Sequence, residues 1–321
     1  MKIIDFHCDT LSRIFDLQKK GMTAESVWNN EGEVDISRLV QTGYGAQFFA
    51  CFLMQEKKPV YGSHFEDAIH MTELLHREVE EHKEQAAFAG SWEEYLENKA
   101  EGKLSCFLTV EEGGVLEQQK ERLDVLYERG VRMITLSWNY ENCLGYPGCI
   151  PAFREKGLKP FGIEALERMD ELGMIADVSH LSDGGFADVC RYGKRPFLAS
   201  HSNAREICPH SRNLSDEMIR KLAEKGGLMG LNFYGPFLTK EGNSTIEAMI
   251  CHIRHMLNVG GREIVGIGSD FDGMGCELEI KGCQFMQKLP EAMERAGFTT
   301  GEIEDVCFRN AEKFLQRYWN H

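Results

Sequence analysis

The chain has 321 residues, 42% hydrophobic and 27% charged, with 32 Gly and 8 Pro, a profile that excludes disordered, collagen-like and coiled-coil chains. Its 36 basic and 51 acidic residues leave a formal charge of −15, which argues against DNA or RNA as a partner because phosphate binding needs a basic surface. No stretch approaches the roughly 18 apolar residues of a membrane helix, so no membrane contact is expected.

The first residues reach an acid at Asp5 without an apolar run long enough for a secretory signal, and the polar, aromatic tail 313–321 is no lipid-anchor signal. Eleven cysteines, an odd number without a C-x-x-C pair, read as reduced packing residues of a cytoplasmic protein rather than as disulfides or zinc fingers.

Along the chain, short apolar runs alternate with amphipathic stretches, the pattern of βα units and a parallel sheet. The runs are 3–7, 46–54, 106–110, 133–138, 174–179, 197–200, 228–233 and 264–268. The helix-like segments are 64–81, 116–128, 163–172, 183–192, 216–225, 246–258 and 289–296. Ser215 before Asp216 and Glu217 resembles an N-cap followed by first-turn acids. Gly130, Gly173, Gly193, Gly226 and Gly260 stand where helices should end. Eight strand candidates predict a (β/α)8 TIM-like barrel occupying 1–321 as a single domain. The rival, an open doubly wound sheet, lacks a G-x-G-x-x-G turn after its first strand.

In such a barrel the chemistry sits where the strands end, because the βα loops converge there on one mouth. The first run ends in Phe6-His7-Cys8-Asp9, an H-x-D pair whose side chains share one side of an extended strand. The third ends in Val110-Glu111-Glu112-Gly113-Gly114, the fifth in Asp177-Val178-Ser179-His180, the sixth in Ala199-Ser200-His201-Ser202, and the eighth in Gly268-Ser269-Asp270-Phe271-Asp272-Gly273. Three imidazoles and several carboxylates at the same end of different strands fit a metal site, and their number suits two ions bridged by a carboxylate about 3.5 Å apart. Glu112 is favoured as the bridge, because two following glycines let other groups approach. Glu111 is read as facing the helical layer or supporting a ligand from behind.

Other histidines are set aside. His64, His70, His76 and His82 recur every six residues and spread around a helix surface. His252 and His255 lie mid-helix and are read as part of a solvated face. His210, in the loop after the sixth run, could reach the mouth and stays outside the set. No P-loop, G-x-S-x-G elbow or Cys–His nucleophile pattern is present.

With these residues in place the chain resembles the membrane dipeptidase (renal dipeptidase) family, peptidase family M19, in the metal-dependent amidohydrolase type of barrel. The resemblance spans residues 5–311 and rests on the strand-end motifs above together with Ser200-His201-Ser202-Asn203-Ala204, Ser211-Arg212-Asn213 and Asn232-Phe233-Tyr234. It implies one zinc held by His7, Asp9 and Glu112 and a second by Glu112, His180 and His201, two Zn2+ per chain. It implies Asp270 as catalytic acid/base and Arg212 as the binder of the substrate's terminal carboxylate, a role suited to a planar fork of donors. Where mammalian members carry a substrate-contacting His after the fourth strand, this chain has Thr135-Leu136-Ser137-Trp138-Asn139, so Trp138 or Asn139, with Tyr234, is expected to contact substrate. Without leader and anchor segments the chain resembles the soluble bacterial members.

The expected activity is zinc-dependent hydrolysis of dipeptides by a metal-bridging hydroxide, with tolerance of a D-residue at the C-terminal position and homodimer formation as the family implies. Two other readings stand beside it. One is another binuclear hydrolase on the same barrel, such as a deaminase, a lactonase or a β-lactam-opening enzyme. The other is a catalytically silent metal-binding barrel, against which Asp270 speaks, since mere metal storage needs no extra acid.

Overall fold

The computed structural model describes residues 1–320. It contains the parallel strands β1 (Ile4–Cys8), β2 (Ala46–Phe52), β3 (Ala86–Phe88), β4 (Leu104–Glu111), β5 (Val131–Thr135), β6 (Ile175–Asp177), β7 (Leu198–Ala199), β8 (Leu228–Leu231) and β9 (Val265–Ile267). Their order is β2-β1-β9-β8-β7-β6-β5-β4-β3, with a further pairing of β2 to β4. Eight strands therefore close into a ring and β3 stands outside it. β3 pairs with Leu104–Cys106 of β4, below the stretch from Leu108 onward that pairs with β5.

The fold is a (β/α)8 barrel, and each of the eight apolar runs supplies one ring strand. β3 was not expected: Ala-Ala-Phe is too short to display an alternation. Helices His64–Glu81 and Asp183–Tyr192 occupy the expected bounds, each begun by a serine (Ser63, Ser182) whose side chain accepts a first-turn N–H. The expected helix over 116–128 is instead a short turn, Gly113–Leu116, then a helix, Glu121–Glu128. Glu117 and Gln118 between them have positive φ, which an α-helix cannot accommodate. A helix the sequence reading did not include, Thr10–Lys19, follows β1 directly. Among the described residues no helix is long and apolar enough to cross a membrane.

Two apolar layers sit on either side of the ring. The inner one gathers Ile4, Phe6, Phe48, Phe107, Met133 and Leu228 with Phe314 and Tyr318 from the last helix, Asn310–Trp319. Phe48 and Phe107 stack at 4.4 Å between centroids and Phe6 lies 4.7 Å from Phe48. Each such buried ring contributes on the order of 2 kcal/mol by burial. These residues come from the early part of each strand, so they form an apolar floor beneath the polar strand ends. The outer layer, between ring and helices, takes Cys8, Phe49, Cys106, Leu108 and Val110.

Side-chain alternation across the ring decides what the mouth receives. On β4, Cys106, Leu108 and Val110 face the helices and Phe107 faces inward, so Glu111 shares the inward side. On β1 the alternation breaks: Phe6 belongs to the inner layer and Cys8 to the outer. The register with β2 shifts between Asp5 and Cys8, and this irregularity turns His7 and Asp9 to the lumen above Phe6.

Candidate metal centre

Six side chains meet at the mouth: His7, Asp9, Glu111, His180, His201 and Asp270. Glu111 stands at their centre and its two oxygens face different partners. Oε2 lies 3.3 Å from His7 Nε2; Oε1 lies 3.0 Å from His180 Nε2 and 3.5 Å from His201 Nε2. His7 Nε2 is also 3.6 Å from Asp9 Oδ2 and 3.8 Å from Asp270 Oδ1. The ligand-type atoms thus form three overlapping triads: His7, Asp9 and Glu111; Glu111, His180 and His201; and His7, His201 and Asp270.

Glu112, expected as the bridge, is not in this group. Its φ of 97° and ψ of 90° turn the chain sharply just after β4, a conformation that costs a side-chain-bearing residue about 1–3 kcal/mol. Its carboxylate accepts N–H groups from Gly114 at 2.6 Å and Trp138 at 2.8 Å, and bonds the Asn142 side chain as well. Burial pushes the Glu112 carboxyl up to about 7 against these donors. The placement has a simple cause: strand parity puts Glu111 inward, and the turn at Glu112 carries the second acid out of the lumen. The signal was present as Phe107-x-Thr109-x-Glu111, opposite the apolar Cys106-x-Leu108-x-Val110. The two glycines do admit close neighbours, but these are loop atoms. A Cβ on Gly113 would meet Leu144 Cδ1 at 2.5 Å, and one on Gly114 would meet Glu112 Oε1 at 2.5 Å.

The mouth is conformationally costly elsewhere too. His180, Asp270 and Asp272 have φ of 68°, 67° and 65°, so two further strand ends, those of β6 and β9, carry non-glycine residues in the left-handed region. Such strain concentrates where side chains must be aimed rather than packed.

The electrostatics ask for cations. His7 is fully buried and neither ring nitrogen has a hydrogen-bond partner; Asp9 Oδ1 has none either. His180 Nε2 and His201 Nε2 face each other at 3.0 Å. His180 Nδ1 lies 3.0 Å from Asn139 Oδ1, which can only accept, so that nitrogen carries the proton. His201 Nδ1 lies 2.7 Å from Ser200 Oγ, whose own proton goes to Asp177 at 2.6 Å. Both Nε2 atoms therefore keep their lone pairs, aimed at one another and at a carboxylate, which is the donor set a divalent cation satisfies. Burial holds His180 near 3 and His201 near 4, both neutral at physiological pH. Burial also works against charge on His7, but Glu111 and Asp9 raise it well above the usual imidazole value. Burial raises Asp9 to about 6 and Asp270 to about 7.

The remaining expected residues surround this group. Asp270 Oδ2 accepts from Asn232 Nδ2 at 3.0 Å. Arg212 is 4% exposed, yet its Nε has no partner and its Nη2 reaches only the His201 carbonyl at 3.4 Å. Beside it, Phe237 lies 5.1 Å from the guanidinium carbon. A cavity of about 490 Å³ opens over the cluster, bordered by Glu111, Trp138, Asn139, His180, Tyr234 and Asp270. The helix Thr10–Lys19 gives it a further wall through Ser12 and Arg13.

His252 departs from its expected solvated face. It is fully buried, its Nδ1 accepting the Ala204 N–H at 3.1 Å and its Nε2 donating to the Leu238 carbonyl at 3.0 Å. His255 is half-buried and pairs with Asp216 at 2.6 Å. His210 is half-buried in its loop, its Nδ1 accepting the Arg212 N–H at 3.2 Å.

The model of the family described as Membrane dipeptidase (Peptidase family M19) matches residues 1–318. The chain belongs to that family. Membership makes it a metallodipeptidase. An uncharacterized dipeptidase of Schizosaccharomyces pombe is 31% identical over 96% of this chain and 78% of its own length. Dipeptidase tcpJ of Claviceps purpurea is 28% identical over 89% of this chain and 69% of its own. Among solved structures, an M19 metallopeptidase described as dipeptidase AC has 25% identity and a TM-score of 0.90, covering 100% of this chain and 99% of that one. A metallopeptidase from Rhodobacter sphaeroides, liganded with a phosphinate mimic of L-Ala-D-Ala, shares the fold with a TM-score of 0.89 at 24% identity over 99% of each chain.

Proposed function

We propose that this metallodipeptidase holds two zinc ions, one by His7, Asp9 and Glu111 and one by Glu111, His180 and His201, with Glu111 between them. Imidazole and carboxylate donors in these numbers leave room for water and substrate. Two zinc ions so held would lower the pKa of a shared water toward neutrality and polarise the scissile carbonyl. Asp270, half-buried beside the cluster with Asn232 Nδ2 on its Oδ2, takes the proton of the attacking water and passes it to the leaving amine.

The observation that carries the dipeptide reading is Arg212. A buried guanidinium without a carboxylate partner, beside a cluster of metal-type ligands, is a site for an anion the chain does not supply. The substrate's terminal carboxylate fits it, and a longer peptide would put an amide there. Burial lowers the Arg212 pKa to about 10, so it stays charged at neutral pH. Trp138, Asn139 and Tyr234 border the cavity and position the substrate's side chains. Tolerance of a D-residue at the C-terminal position is part of the proposal, and cleavage of L-Ala-D-Ala beside L-Ala-L-Ala tests it.

The deciding experiment uses metal-stripped protein with and without added zinc, on L-Ala-D-Ala, L-Ala-L-Ala and the C-terminal amides of both. Zinc-restored cleavage of the free dipeptides, with the amides cut about 10-fold or more slowly, is the expected result. Equal rates on acids and amides would remove the role of Arg212, and cleavage that ignores zinc would remove the two-zinc centre.

A further inference from the structure

Glu112 has a place in the mouth that metal binding does not explain. Residues 136–145, which follow β5, carry Trp138 and Asn139 along the cavity. This segment has two anchors. At one, Glu112 accepts the Trp138 N–H and bonds Asn142. Asn142 in turn donates to the Leu136 carbonyl at 2.8 Å and accepts from Leu144 and Gly145 N–H at 2.8 and 2.9 Å. At the other, Tyr140 Oη donates to the Leu53 carbonyl at 2.8 Å and accepts the Gln55 N–H at 2.7 Å. Between the anchors Asn139 meets His180 Nδ1, and the Trp138 ring lies 4.9 Å from Phe52.

We propose that Glu112 is a positioning residue: a buried carboxylate clasp that holds Trp138 and Asn139 against the dipeptide and, through Asn139, fixes the His180 tautomer. The proposal rests on the reading of the site as a two-metal dipeptidase centre with Glu111 between the ions. A carboxylate suits the task because its partners at Gly114, Trp138 and Asn142 are all N–H donors, so an amide in its place would turn its own N–H2 toward one of them. The backbone geometry reinforces the case. At φ 97° a glycine would be at ease and a glutamate is not, so its side chain compensates for a strained position.

Glu112→Gln and Glu112→Gly test this, beside Asn139→Ala and the Glu112→Gln/Asn139→Ala double variant. Glu112→Gly removes the carboxylate while relieving the backbone, so its melting temperature reports whether folding survives. Expected for both Glu112 variants are two zinc equivalents by elemental analysis and a kcat/KM about 10–100-fold lower, as for other residues that orient a ligand from behind. The double variant is expected to lose no more than the larger single loss, because both changes break one linkage. In the metal-stripped protein the ¹⁵N shifts of His180 are expected to move from a fixed Nδ1–H tautomer in the wild type toward a mixture in Glu112→Gln. Loss of a zinc equivalent in Glu112→Gln with full retention in Glu111→Gln would overturn the proposal by making Glu112 the ligand. A folded Glu112→Gly with unchanged kinetics would also overturn it. If the wild-type protein binds zinc but cleaves no dipeptide, the proposed function fails, while zinc content and the His180 tautomer still judge the clasp.

Discussion

The two sides of the candidate metal centre begin from the same local device and end differently. At β1, Asp5 Oδ1 accepts the N–H of His7, two residues on, at 3.2 Å and that of Ser269 beyond β9 at 2.9 Å. At β6, Asp177 Oδ1 accepts the N–H of Ser179, two residues on, at 2.9 Å and that of Ser200 beyond β7 at 2.8 Å. In each case one aspartate ties its strand end to a neighbour. The second oxygen makes the difference. Asp177 Oδ2 accepts hydroxyls from Thr135 and Ser200, both at 2.6 Å, and Ser200 continues to His201. Asp5 Oδ2 has no partner, and neither nitrogen of His7 has one. The β6–β7 side thus has its imidazoles oriented by hydrogen bonds before any ion arrives, whereas the β1 side places His7 and Asp9 by backbone geometry and leaves their polar atoms waiting. A chain of satisfied bonds rigidifies a site, and unmet polar atoms make it depend on its ligand.

The largest effect should come from the residue both sides share. Glu111→Gln is expected to lose both metals and nearly all activity, whereas Asp270→Asn should keep both and lose turnover by about 10²–10⁴-fold. Metal analysis beside kinetics checks this; an Asp270→Asn protein short of metal would place Asp270 among the ligands and enlarge the β1 side. Next comes the comparison itself. Asp177→Asn is expected to weaken zinc binding about 10–100-fold by disturbing the Ser200–His201 chain. Asp5→Asn, which keeps its Oδ1 acceptor and loses only an oxygen without a partner, should change it by less. Competition with a chelator measures both, and a larger loss in Asp5→Asn would break the contrast.

A separate effect concerns acid. Burial holds His252 near 4, below its ordinary 6.5, so it folds uncharged with Nδ1 as acceptor and Nε2 as donor. Below 6.5 the unfolded chain takes up a proton that the folded one refuses. Its contribution is therefore complete above 6.5 and is lost as the pH falls toward 4, by at most roughly 3 kcal/mol. Melting curves of the wild type and His252→Gln should converge across that window. Parallel curves would show that His252 is not the group responsible.

Much of this was legible before any fold. The eight apolar runs each became a ring strand, and helices His64–Glu81 and Asp183–Tyr192 kept their expected bounds, because long apolar periodicity and serine caps are local signals. The sequence also named His7, Asp9, His180, His201 and Asp270, which the fold brings together. Metal-type residues clustered at apolar run ends are visible without knowing how the runs pair.

What tertiary structure decided was direction. Two adjacent acids at the end of β4 are equivalent as letters; strand parity sends Glu111 inward, and a positive φ sends Glu112 to the loop after β5. His252 reads as a solvated helix residue until the Ala204 N–H and the Leu238 carbonyl arrive from distant loops to satisfy both nitrogens. Asn139 becomes the partner of His180 only when β5 and β6 lie side by side. Residue type and spacing determined that metal-type side chains gather at the mouth of this barrel. Which carboxylate faces that cluster follows from side-chain alternation, backbone conformation and contacts between remote segments, none of which a linear pattern encodes.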